Sequence, residues 1–189
     1  MRAVDLVRSR VSAAGGSVQD LIGQTRDLEW ATPLLPGTSP IGLTLWHLPR
    51  TLDWLVQTSI RGETEVADGA SYGDLPDTDR FGFGTGLSPD EAASAAAMVR
   101  PDALLAYNDA VLRTVDQWLA TLGDDDLDKP VDGFDDRQRT RPSYAKPEAL
   151  AAIEGLGELS LGLILQRPSM THLFRHLGEV DLIAQLARS

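Results

Sequence analysis

Apolar residues recur along much of this chain at alternating steps of three and four. Val4, Val7, Val11, Ala14, Val18 and Leu21 form one such series. That spacing draws a single stripe on an α-helix and would scatter over both faces of a strand. The period returns in Leu104, Asn108, Val111, Val115, Trp118 and Leu122, where Asn108 is the odd polar member. No internal repeat or convincing strand pair breaks the pattern. Such stripes are buried by packing helix on helix, so the expected class is all-α, a helical bundle with one long crossover.

Punctuation residues divide the chain. Gly15 and Gly16 interrupt the first helix at a cost of about 1 kcal/mol each, which marks a kink or a close helix contact. Pro33, Pro36 and Gly37 close that segment. A second helix is expected over residues 40–61, capped by Thr38 or Ser39 with Pro40 in its first turn, and ending before Gly62. Pro49 within it removes a backbone donor and predicts a disturbed turn around Leu45. Residues 62–87 read as a long connection carrying the run FGFGTG. Ser88-Pro89-Asp90-Glu91 spells a capping box, opening a short alanine-rich helix that stops near Pro101. A third long helix runs from Asp102 to Leu122. Residues 123–146 are polar and read as a surface loop. Residues 147–166 predict an extra helix despite Gly155, Gly157 and Gly162, and Pro168 starts a final helix through Ala187.

Charge and cysteine content narrow the functions. Asp and Glu number 28 against 17 Lys and Arg, for a net charge of −11. Phosphate backbones and anionic lipid surfaces repel such a chain, so neither nucleic acid nor membrane is an expected partner. With no cysteine there is no disulfide, thiolate ligand or protein thiol nucleophile. The N-terminal residues lack the apolar core of a signal peptide, and no run reaches the roughly 18 apolar residues of a membrane span. A single domain over residues 1–189, cytoplasmic and acting on a small-molecule substrate, is the expectation.

The three histidines fall at chemically suggestive places. His172 and His176, in THLFRHLGEV, are spaced i and i+4. A helix puts both rings on one face, with Cβ atoms about 5–6 Å apart. Both imidazoles can then reach one metal ion at about 2.0–2.1 Å. Leu173, Leu177 and Val180 form the adjacent apolar stripe, so the pair should face the interior. His47, beside Trp46 on the second helix, can complete a three-histidine site. The plain alternative is a set of half-exposed or satisfied core histidines.

These two stretches carry a family resemblance. IGLTLWHLPRTLDWLV resembles the first metal motif of the DinB/YfiT-like putative metalloenzymes, and HLFRHLGEV resembles their closing motif. The likeness spans most of the chain. It implies a four-helix bundle of up-down-down-up topology with His47, His172 and His176 as ligands to zinc, nickel or iron. It further implies a thiol-dependent S-transferase or isomerase using mycothiol, bacillithiol or another small thiol, and it leaves a homodimer open. Pro49 and the extra helix of residues 147–166 depart from the family pattern. A maleylpyruvate isomerase is less expected, because those members carry an additional C-terminal domain.

Three neutral imidazoles leave an ion with at least one open position, the pattern of a catalytic centre. Leu173 after His172 excludes the metalloprotease arrangement, which needs Glu there. Three further residues are candidates for the site. Arg50 can hold an anionic substrate group or pair with a carboxylate on the surface. Glu179 can orient a ligand histidine, shuttle a proton, or stand on a solvated face. Asn108 can bond in the pocket or set helix register. Trp46 and Trp54 are expected to pack. FGFGTG lacks the spacing of a nucleotide loop and reads as a flexible connection, and Asp124–Asp126 reads as solvated rather than as a calcium loop. Against the metalloenzyme stand two alternatives: a binding module without turnover, and a stress-response interaction protein.

Overall fold

The first apolar stripe becomes α1, Ala3–Gln24, in a computed structural model that describes residues 2–26, 29–72 and 74–188. Val4, Val7, Val11, Ala14 and Val18 are buried as expected, and Ile22 rather than Leu21 ends the stripe. Helix α2, Ile41–Asp53, continues as a wider π-helical stretch over Trp54–Arg61 and stops at Gly62, whose φ of 67° only glycine adopts easily. Pro49 stays within the helix. Pro40 occupies the N-cap, and neither Thr38 nor Ser39 caps it; the Thr38 hydroxyl donates to the Leu35 carbonyl instead.

Short α3, Thr78–Phe81, precedes α4, Pro89–Met98, which opens on the expected capping box between Ser88 and Glu91. Helix α5 spans Pro101–Leu119, and α6 is the four-residue turn Phe134–Arg137. Two short helices replace the single one expected over residues 147–166. These are α7, Pro147–Ile153, and α8, Leu161–Gln166, separated at Gly155, where φ is 76°. The final helix does not start at Pro168. That proline sits in a wide π turn, Arg167–Thr171, that leads into α9, His172–Arg188. The described residues are all-helical apart from one isolated bridge between Pro130 and Ser160.

Helices α1, α2, α5 and α9 carry the main core: α1 packs on the other three, and α2 on α5 and α9. At the α1–α5 crossing a Cβ on Gly15 would stand 2.3 Å from Leu112, so this glycine marks a close contact and not a kink. The Gly15 carbonyl accepts a bond from Asn108 Nδ2 at 3.2 Å. Asn108 therefore ties two helices together, and the pocket reading of that residue falls. A second apolar cluster gathers Trp54, Phe83, Phe134, Tyr144, Ile153 and Ile164. It overturns the reading of residues 123–146 as a surface loop, since Phe134 and Tyr144 are fully buried.

Arg50 is neither a surface pairing residue nor a substrate clamp. Its side chain is wholly buried, with Nη2 bonded to Glu65 Oε2 at 2.5 Å and to the Tyr144 hydroxyl. Asp53 Oδ2 lies 3.7 Å from Nη1 and accepts the Tyr107 hydroxyl at 2.8 Å. Asp53 also accepts the backbone N–H groups of Val66 and Ala67. Burial disfavours the charged form of the guanidinium, but the surrounding acidic groups outweigh it and raise the Arg50 pKa. Removing this one cation strands two carboxylates out of water. Arg50→Ala is expected to lose about 3–5 kcal/mol of unfolding free energy, read by urea denaturation; a loss under about 1 kcal/mol would show the cluster to be solvated.

The end of α9 is tethered differently. Glu29 accepts Arg188 Nη2 at 2.7 Å and Arg26 Nε at 2.7 Å, and Arg188 above all holds its carboxyl down at about 2. A depressed acid contributes stability above its unfolded value near 4.5 and loses it as pH falls towards 2. Glu29→Gln should lower the melting temperature at pH 7 by about 2–4 °C, and the difference should vanish by about pH 2 in paired thermal melts. A difference that persists at pH 2 would assign the effect to packing.

Candidate metal centre

His47 sits in the middle of α2, and His172 and His176 occupy successive turns at the start of α9. Because α2 packs on α9, the three rings meet. Ring centroids lie 5.0 Å apart for His47 and His172, 5.2 Å for His47 and His176, and 4.7 Å for His172 and His176. One nitrogen from each ring lies within 4.8 Å of the others. His47 is buried, and the other two are half-buried.

The far side of each ring decides which nitrogen carries a proton. His47 Nδ1 contacts the Phe83 carbonyl, which can only accept, so Nδ1 bears the hydrogen and Nε2 presents its lone pair inward. His176 Nδ1 lies 2.6 Å from Glu179 Oε2, which likewise leaves Nε2 as the free nitrogen. Arg175 Nη2 reaches that nitrogen at 3.2 Å, but the arginine is 65% exposed and can swing off it. His172 Nδ1 is buried without a hydrogen-bond partner among the described residues.

Electrostatics keep His47 and His172 unprotonated. Burial, followed by the neighbouring His176, pushes His47 down to about 4, although the bond to Phe83 works the other way. Burial, then His47 and His176, pushes His172 down to about 2. Both rings are therefore neutral near pH 7, and the Nε2 atoms of His47 and His172 face each other at 3.2 Å. Two nitrogens at about 2.05 Å from a tetrahedral ion stand about 3.3 Å apart. The donor type and the His47–His172 separation fit a divalent cation, so the group can hold a metal ion. No known protein-family model matches the chain, and no curated protein matches it significantly.

The expectation of a flexible FGFGTG connection is overturned. Gly82, Gly84 and Gly86 all take positive φ, at 60°, 87° and 72°, and curl the segment onto α2. Phe83 stacks on Trp54 at 4.2 Å, and its carbonyl meets His47. A Cβ on Gly84 would lie 3.1 Å from both His47 Nδ1 and Trp46 Cζ3. Sequence reasoning missed Phe83 and Gly84. The available signal was the alternation of glycines itself, which suits a chain reversing against a packed surface.

A cavity of about 290 Å³ opens beside the rings. Helix α2, the Gly82–Gly86 strap, α7 with the turn after it, and the start of α9 all contribute to its wall. Of the other predicted site residues, Glu179 reaches the centre through His176, whereas Arg50 and Asn108 do not line the cavity. Trp54 forms part of the wall; its Nε1 has no hydrogen-bond partner among the described residues.

If the strap sets the His47 tautomer, crowding it must weaken the centre. Gly84→Ala is expected to lower zinc affinity by about 10–100-fold, measured by competition with a chromophoric chelator. Unchanged affinity in a folded variant would mean that the strap does not orient His47.

Proposed function

We propose that this chain is a metal-dependent enzyme of the DinB/YfiT-like kind, in which His47, His172 and His176 hold a divalent ion. Its reaction is group transfer or isomerisation with a small thiol such as mycothiol or bacillithiol. The observation that supports this most is the approach of three imidazoles from two helices, with two Nε2 atoms 3.2 Å apart. The packing of α1, α2, α5 and α9 is in keeping with that family's four-helix bundle; the crossover then holds α3 and α4, and α7 and α8 are additions. A chain without cysteine needs an external thiol for thiol chemistry.

Bound zinc, nickel or iron supplies positive charge that acidifies a bound water or holds a thiolate. The protein groups have separate tasks. The Phe83 carbonyl holds the proton of His47 on Nδ1, and Glu179 takes that of His176. Glu179, 49% exposed, can pass protons between the centre and solvent. The apolar wall limits the water around the reacting atoms. A second reading, a metal-bearing binding module without turnover, is favoured by the lack of any carboxylate base on the described cavity wall.

Protein purified without a metal-affinity column should carry about one equivalent of divalent metal by plasma mass spectrometry. His47→Ala and His176→Ala should each fall to background while remaining folded by circular dichroism. Wild-type protein that takes up none of zinc, nickel or iron ends the metal reading. For the metal-loaded protein, mycothiol and bacillithiol should be consumed with an electrophile; saturable binding without consumption selects the binding module.

A further inference from the structure

The chain carries an excess of 11 negative charges, yet the cavity beside the histidines departs from that balance. Not one Asp or Glu lines it among the described residues, and its charged side chains are Arg167 and Arg175. Arg175 is partly offset by Glu179 at 3.7 Å. Arg167 has no described carboxylate partner; its Nη1 donates to the Ala152 carbonyl at 2.7 Å, which leaves its charge unbalanced. Both arginines press on the His172 ring electrostatically. The remaining wall is uncharged, with hydroxyls from Ser39, Thr44, Thr51 and Thr85 and an apolar share chiefly of Leu43, Trp54, Leu55, Phe83, Ile153 and Leu156. A volume of about 290 Å³ stands at the lower limit of small-ligand pockets.

From this division we infer that the cavity takes a small monocarboxylate with an apolar, ring-sized body, its carboxylate between Arg167 and the histidine cluster and its body against Trp54 and Phe83. An apolar wall with a few convergent charges fixes a ligand's orientation through the charges and draws affinity from the wall. A guanidinium suits a carboxylate because its planar fork donates two parallel bonds. A cation of the same shape would meet two arginines and no acid. Trp54 and Phe83, already stacked, present aromatic surface to a ring. The proposal extends the metal reading by naming the substrate class, but the arginines and the wall are there whether or not metal is bound.

The test is calorimetric titration of zinc-loaded and chelator-treated protein with phenylacetate, and with 2-phenylethylamine and benzyl alcohol as cationic and neutral counterparts. Phenylacetate should bind at least tenfold more tightly than either. Arg167→Gln keeps a donor for the Ala152 carbonyl and removes the charge; it should weaken phenylacetate binding about tenfold or more while zinc content and melting temperature hold. Equal binding of the amine or the alcohol overturns the inference, as does no binding of phenylacetate. Phenylacetate binding that needs zinc and ignores Arg167→Gln also overturns it, because metal chelation then accounts for the anion. Carboxylate preference in a protein that takes up no zinc supports the inference and sinks the metal reading alone.

Discussion

The buried guanidinium of Arg50 is the point on which the arrangement around the centre hangs. A cation out of water is tolerable only with its countercharges in place, and beyond Asp53 on the same helix its partners come from far along the chain. Glu65 arrives from the crossover, Tyr144 from the segment before α7, and Tyr107 joins through Asp53 from α5. One α2 side chain thus anchors three otherwise separate stretches. It lies less than one turn beyond His47, so the turn of α2 bearing the first histidine is held in place.

From that anchor the centre is assembled in layers. Tyr144 also belongs to the second apolar cluster, where Trp54 stacks on Phe83. That stack places the Phe83 backbone against His47, and the backbone carbonyl fixes the imidazole proton on the outer nitrogen. On the opposite side a salt-bridging carboxylate, Glu179, does the same for His176. Outer acceptors of this sort turn a set of histidines into a set of aligned lone pairs. Burial then keeps His47 and His172 unprotonated near pH 7, and their Nε2 atoms stand at hydrogen-bond distance from each other.

The segment between residues 147 and 166 has a part in this that periodicity alone did not suggest. Its two short helices are poor candidates for independent stability, yet Ile153 and Leu156 close the cavity over the rings. The wide turn after α8 brings Arg167 to the same wall before α9 presents its histidines. Part of the cavity wall therefore comes from the region that departs from the DinB-like pattern, while the three histidines come from the regions that resemble it.

Among the described residues no helix is long and apolar enough to cross a membrane, in keeping with the polar composition. The helical class, the inner stripe of α1, the start of α4 at its capping box and the histidine pair on one face of α9 were all legible in residue order. Each depends on interactions within a turn or two of helix, where spacing and geometry are the same thing. What residue order left open needed partners distant in the chain. Arg50 looked like a surface or substrate residue because the acid bonded to it, Glu65, lies 15 residues away and its hydroxyl partner, Tyr144, 94 away. Asn108 looked like a pocket residue because its acceptor, the Gly15 carbonyl, is 93 residues away. The glycine strap looked loose because the surface that orders it is on another helix. Local periodicity determined which elements form; only tertiary packing decided which buried polar groups meet, because the cost of leaving them unpaired is settled across the whole fold.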